Sequence, residues 1–108
     1  MPYAEVNDIR MYYEEQGAGE PLLLLDVREP FELQLSHLDG AQNIPMSEMN
    51  ARWQEIPRDR PVVVFCHTGV RSVNLIEALR EEGYDNLINL AGGIDAWSRE
   101  VDPSVPRY

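Results

Sequence analysis

The sequence predicts an α/β domain: a small parallel sheet of about four to five strands with helices on both faces. Short apolar runs, Leu22 to Asp26, Val62 to Cys66 and Leu87 to Leu90, have the length and continuous hydrophobicity of strands buried on both sides. Amphipathic segments lie between them, and this alternation implies parallel strands joined by right-handed crossovers. At 108 residues, 44% hydrophobic and 26% charged, the chain has the size and balance of one folded domain.

Residues 1–21 admit two assignments. Ile9, Met11 and Tyr13 alternate with Arg10, Tyr12 and Glu14 as in an edge strand, whereas Asn7 as an N-cap and Gly17 as a stop suit a helix. The expectation is a short strand over Tyr3 to Glu5, then a helix from Asn7 to Gln16. After the strand ending at Asp26, Pro30 in the first turn marks a helix over Glu29 to Ser36. A shorter strand is expected at Ala41 to Ile44, and a helix from Ser47 to Glu55 behind its Ser/Asn-rich start. The best helix spans Val70 to Glu82, with Ser72, Leu75, Ile76 and Leu79 on one face and Gly83 as its stop. Gly92 and Gly93 then turn the chain into a last short helix carrying Ala96 and Trp97. Pro103 and Pro106 prevent that helix from continuing, so 1–100 form the domain and 101–108 an extended tail. Trp53 and Trp97 are expected in the core.

Charge and composition exclude several function classes. Nineteen acidic residues against nine basic ones give a net charge of −10, and no stretch concentrates the arginines. A nucleic-acid partner, which needs a basic face to neutralise phosphates, is not expected. Any anion site must rest on local donors, because the overall field repels anions. The longest apolar runs fall far short of the ~20 residues that span a bilayer, so no membrane partner is expected. The opening residues lack the basic and apolar regions of a secretory signal. One cysteine forms no internal disulfide, and with only His37 and His67 beside it no metal site and no cofactor is expected. A lone reduced thiol suits a reducing, cytoplasmic location.

That cysteine, Cys66, stands where the Val62 run stops, and Gly69 and an amphipathic helix follow. A thiol at the carboxyl end of a strand meets unpaired N–H groups and the helix dipole, roughly half a unit charge, which together favour the thiolate. Sites in such sheets form beyond the carboxyl ends of the strands, where Asp26 also lies. Four residues separate Cys66 from Arg71, and the loop Cys66-His67-Thr68-Gly69-Val70-Arg71-Ser72 can turn successive N–H groups toward an anion above the sulfur. Arg71 adds planar donors, and Thr68 and Ser72 supply hydroxyls at the mouth. Cys66 is the candidate nucleophile. Burial habits alone favour a core cysteine, but a core cysteine needs no following Gly and Arg at loop spacing.

Four stretches resemble the rhodanese family in order and spacing: Leu24 to Glu32 with Asp26-Val27-Arg28, Ser36 to Pro45, the Cys66 to Ser72 loop, and Asn89 to Trp97 with Gly92-Gly93. Leu38-Asp39 departs from that pattern, where Ile-Pro is usual. Gly93 to Ser98 and the tail through Pro103 are also similar to rhodanese domains fused behind sulfur-carrier adenylyltransferases. The resemblance implies a rhodanese-like fold and a sulfurtransferase that moves a sulfane sulfur from thiosulfate or a similar donor, through a Cys66 persulfide, to a thiol or cyanide. It implies a small-molecule donor and a thiol or sulfur-carrier protein as acceptor. Relatives acting on phosphate or arsenate carry a five-residue step from Cys to Arg, so the four-residue step here points to sulfur. Arg71 and the loop N–H groups would stabilise the anionic donor and the persulfide, His67 would tune donor choice or stand aside, and Asp26 and Arg28 would brace the rim. His37 is expected to cap or pack. Two other roles are compatible with the resemblance: a non-catalytic interaction module, and a persulfide carrier loaded by a partner. Residues 3–25 also resemble the opening strands of α/β-hydrolases, but no Gly-x-Ser-x-Gly elbow follows.

Overall fold

A computed structural model describes residues 3–5 and 23–108. The expected helix from Asn7 to Gln16, and most of the hydrolase-like stretch, lie outside the described residues. The sheet has five parallel strands in the order β1-β5-β4-β2-β3: β1 Tyr3–Ala4, β2 Leu23–Asp26, β3 Gln42–Asn43, β4 Val62–Phe65 and β5 Leu87–Leu90. Leu25 pairs with Val64 and Val64 with Asn89, so β4 is central and the ends of β2, β4 and β5 lie side by side.

β4 shows why the sheet is buried on both sides. Val62, Val64 and Cys66 face one core cluster with Leu75, Ile76 and Leu79, while Val63 and Phe65 face another with Ile94 and Ala96. Successive side chains of a strand point to opposite faces, so an uninterrupted apolar run needs cover on both. Helix α3, Val70–Glu81, covers the first face, burying Ser72, Leu75, Ile76 and Leu79 as its periodicity predicts. Helix α4, Gly93–Glu100, covers the second and buries Ile94 and Ala96. Helix α1, Pro30–Leu35, leads from β2 towards β3 and buries Glu32 rather than an apolar side chain. Trp53 and Trp97 pack against the two clusters as expected.

Two expectations are corrected. The helix expected from Ser47 to Glu55 is broken into 3-10 turns at Met46–Glu48 and Trp53–Glu55 around a single α-turn, α2, Met49–Arg52. Glu48 and Arg52 have ψ near zero, 0° and −2°, which interrupts the α-helical ladder. The segment from 101 to 108 does not simply extend. Asp102 accepts from the Ser104 N–H and hydroxyl, turning the chain back so that Val105 enters the second cluster and Ser98 donates to the Val105 carbonyl.

Candidate active site at Cys66

β4 ends one residue before Cys66, and α3 begins at Val70, so the thiol lies in a short loop against a helix N-terminus. Gly69 makes the turn possible with φ +107°, a conformation that other residues resist. Its N–H then donates to Cys66 Sγ at 3.1 Å, and Ser72 Oγ lies 3.5 Å from the sulfur on the first turn of α3. Burial pushes the Cys66 thiol up, yet the Ser72 hydroxyl and the N–H groups of Ser72, Gly69 and Arg71 outweigh it and bring the thiol below its ordinary value. The loop is held from beyond β5. The N–H groups of Ile94 and Asp95 donate to the Cys66 and His67 carbonyls at 2.9 and 3.0 Å, and a Cβ at Gly93, where φ is +62°, would stand 2.4 Å from the Cys66 carbonyl oxygen.

Ser72 is not at the mouth. Its hydroxyl is fully buried with one proton and three acceptors in reach: Cys66 Sγ, the Gly69 carbonyl at 3.1 Å and Asn89 Oδ1 at 2.5 Å. It therefore acts on the sulfur from inside the fold rather than on a ligand, because the inward face of the first helical turn points at β5. Thr68 and Val70 are exposed on the outer side of the loop, and His67 is half-buried.

Arg71 is engaged by a carboxylate. Its Nη1 and Nη2 donate to Glu32 Oε2 and Oε1 at 2.8 and 2.9 Å, so a carboxylate neutralises the guanidinium expected to stabilise the donor, and one N–H of each terminal nitrogen is taken. Glu32 also accepts from the Glu29 N–H at 2.9 Å and the Tyr108 hydroxyl at 2.9 Å. The Arg71 hydrogen bonds, opposed by burial and helped by the Glu29 and Tyr108 donors, hold the Glu32 carboxyl at about 2. Arg28 is completely buried and spends all its donors inside the protein. Its Nε and Nη2 bind Asp26 at 3.0 and 2.7 Å, Nη2 also binds the Ser36 carbonyl at 2.8 Å, and Nη1 reaches the Tyr108 hydroxyl at 3.0 Å and the Glu32 carbonyl at 3.5 Å. Asp26 and Arg28 thus brace the ends of β2 and α1 and touch no ligand space.

His37 neither caps nor packs; it is mostly exposed with Nε2 3.2 Å from Asp39. No group of side chains able to hold a metal ion occurs among the described residues, and no helix there is long and apolar enough to cross a membrane. Three contributors were missed in the sequence. Asn89 was signalled as the one polar side chain in the apolar β5 run. Glu32 stands third from Glu29 after a helix-starting proline, which marks a helix N-terminus but not its partner Arg71. Tyr108 carried no signal.

The comparisons agree with this geometry. A family model described as the rhodanese-like domain matches residues 9–100. A sulfurtransferase of Allochromatium vinosum is 41% identical over 86 residues, covering 80% of this chain and 80% of that protein. The probable adenylyltransferase/sulfurtransferase MoeZ of Mycobacterium tuberculosis is 40% identical over 93 residues; the match takes in 84% of this chain and only 24% of that protein's length. Among solved structures, a rhodanese-related protein from Thermoplasma volcanium superposes with a TM-score of 0.80 at 32% identity, covering 94% of each chain. The human single-domain sulfurtransferase TSTD1 gives 0.76 at 25% identity, over 93% of this chain and 97% of that one. With four motifs in register, a parallel sheet presenting Cys66 at a strand end, and a family match across most of its length, this chain belongs to the rhodanese-like domain family.

Proposed function

We propose that the chain is a sulfurtransferase in which Cys66 carries the transferred sulfur as a persulfide. The observation that carries this is the sulfur's setting: three loop N–H groups and the Ser72 hydroxyl overcome burial and favour the thiolate. In the first half-reaction the Cys66 thiolate attacks the outer sulfur of thiosulfate or a similar donor. The donor S–S bond breaks and sulfite leaves with its electron pair. In the second, an acceptor thiolate or cyanide attacks the outer sulfur of the persulfide, and the Cys66 thiolate is regenerated. The same N–H groups that favour the thiolate would stabilise it as the leaving group.

The pairing of Arg71 with Glu32 favours one further reading, in which a partner protein loads Cys66 and small anionic donors are used poorly. The Glu32 carboxylate neutralises the Arg71 charge and takes one N–H of each terminal nitrogen, which weakens its pull on a free anion and leaves only its remaining N–H groups to bind one. The sulfurtransferase names of the relatives support the activity class. A thiol or sulfur-carrier acceptor is in keeping with the adenylyltransferase/sulfurtransferase relatives, of which MoeZ is one.

Thiocyanate production from thiosulfate and cyanide tests the reading. Double-displacement kinetics, abolished by Cys66→Ser, are expected. Thiocyanate formation that continues in Cys66→Ser at the wild-type rate would overturn it.

A further inference from the structure

Cys66 is only 1% exposed, so a reagent reaches its sulfur only when something at the mouth moves. The backbone is poorly placed to do so. The Cys66 and His67 carbonyls are tied to the N-terminus of α4, Gly93 packs against both, and the Gly69 N–H rests on the sulfur. Side chains remain, and one of them, the partly exposed Tyr108, spans from His67 to the Glu32 that pairs with Arg71, the two ends of the Cys66 loop.

The Tyr108 ring lies on the His67 ring, with centroids 4.0 Å apart and planes within 11°. Its hydroxyl accepts from Arg28 and donates to Glu32. Both partners keep their charged ligands if the ring lifts: Arg28 retains Asp26 and Ser36, with its Nη1 left on the Glu32 carbonyl at 3.5 Å, and Glu32 retains Arg71 and the Glu29 N–H. Val105 is the nearest buried anchor, Pro106 is exposed, and Arg107 is held by a partly exposed ion pair to Asp95 at 3.1 Å. The stacked state also carries a cost, because His67 Nε2 is buried there with no hydrogen-bond partner. Opening the stack gives that atom access to water or to a ligand.

We propose that Tyr108 gates the Cys66 site: its ring and His67 form a leaf over the mouth that selects the incoming molecule by size. The proposal rests on Cys66 as the reactive sulfur, but its test needs no sulfur transfer. Tyr108 acts on access and on the placement of His67, and takes no part in the bond changes at sulfur.

Because the chain has a single cysteine, alkylation reports on one site. Second-order rates with iodoacetamide and with a bulky pyrene maleimide are measured for the wild-type chain, Tyr108→Ala, Tyr108→Phe and Tyr108→Trp, with a thermal melt of each. Iodoacetamide needs a smaller displacement of the ring than the pyrene maleimide; if the wide opening is about one tenth as populated as the narrow one, Tyr108→Ala raises the maleimide rate about tenfold relative to the iodoacetamide rate. Tyr108→Phe, which keeps the ring but loses the hydroxyl's bonds to Arg28 and Glu32, raises the ratio less than Tyr108→Ala does, and Tyr108→Trp, with a larger ring over His67, lowers it. Equal ratios in wild type and a folded Tyr108→Ala overturn the proposal. Should Tyr108→Ala not fold, an unchanged ratio in Tyr108→Trp overturns it equally. Absence of sulfur transfer in the wild type would count against the function proposed above and leave this ratio as a separate test.

Discussion

Replacing Glu32 by glutamine removes one charge from the ion pair that joins α1 to the loop, and the structure sets the size of the effect. Arg71 and its helpers hold the Glu32 carboxyl at about 2 against an ordinary 4.5. At about 1.4 kcal/mol per pKa unit this gap is worth about 3 kcal/mol as an upper bound. Arg71 is 36% exposed, so water screens the pair, and a loss of about 2 kcal/mol is expected for Glu32→Gln at neutral pH. The sign follows from linkage. A carboxyl whose value is depressed in the folded state contributes fully above its unfolded value and loses that contribution as pH falls through the folded one. The difference between wild type and Glu32→Gln should therefore be constant from neutral pH to about pH 5, then shrink by half or more by about pH 3. Urea unfolding at several pH values measures it. A Glu32→Gln protein as stable as wild type at neutral pH, or a difference that does not change with acid, would refute the reasoning. Glu32→Gln should also lower KM for thiosulfate, because the Arg71 charge is no longer neutralised by a carboxylate.

Two other substitutions probe the loop. Ser72→Ala removes a hydroxyl that favours the Cys66 thiolate, so the midpoint of Cys66 alkylation against pH should move up, and Asn89 Oδ1, losing the donor it shares with the sulfur, should cost about 1–3 kcal/mol in stability; an unmoved midpoint would remove Ser72 from the thiol's environment. Gly93→Ala places a Cβ 2.4 Å from the Cys66 carbonyl at φ +62°, so it should destabilise the domain by about 2 kcal/mol or more and displace the loop. A fully stable Gly93→Ala with wild-type alkylation rates would contradict the pinning of the loop.

What the sequence disclosed depends on how local each signal was. The β-branched run at Val62 to Phe65, the helical face of Ser72, Leu75, Ile76 and Leu79, and the Gly69 turn each state their conformation within a few residues, and the structure has them in place. The segment from Met46 to Glu55 misled because its Ser/Asn-rich start suits a helix N-terminus, whereas Glu48 and Arg52 take ψ near zero and divide it into short turns. The chemistry of the loop was legible; what surrounds it was not. Arg71 reads as an open anion ligand until the fold brings Glu32 to it across 39 positions. Tyr108 meets His67 only because Asp102 and Ser104 turn the chain back and Val105 buries itself. Such contacts between distant positions leave no periodicity or spacing for a sequence to show.

The central claim is that Cys66 holds a transferred sulfur, and intact mass spectrometry tests it most directly. After incubation with thiosulfate, the wild-type chain should gain the mass of one sulfur atom, lose it on treatment with a reductant, and show no gain as Cys66→Ser. An unmodified wild-type chain under a large excess of both thiosulfate and a protein persulfide donor, or an equal gain in Cys66→Ser, would contradict the account.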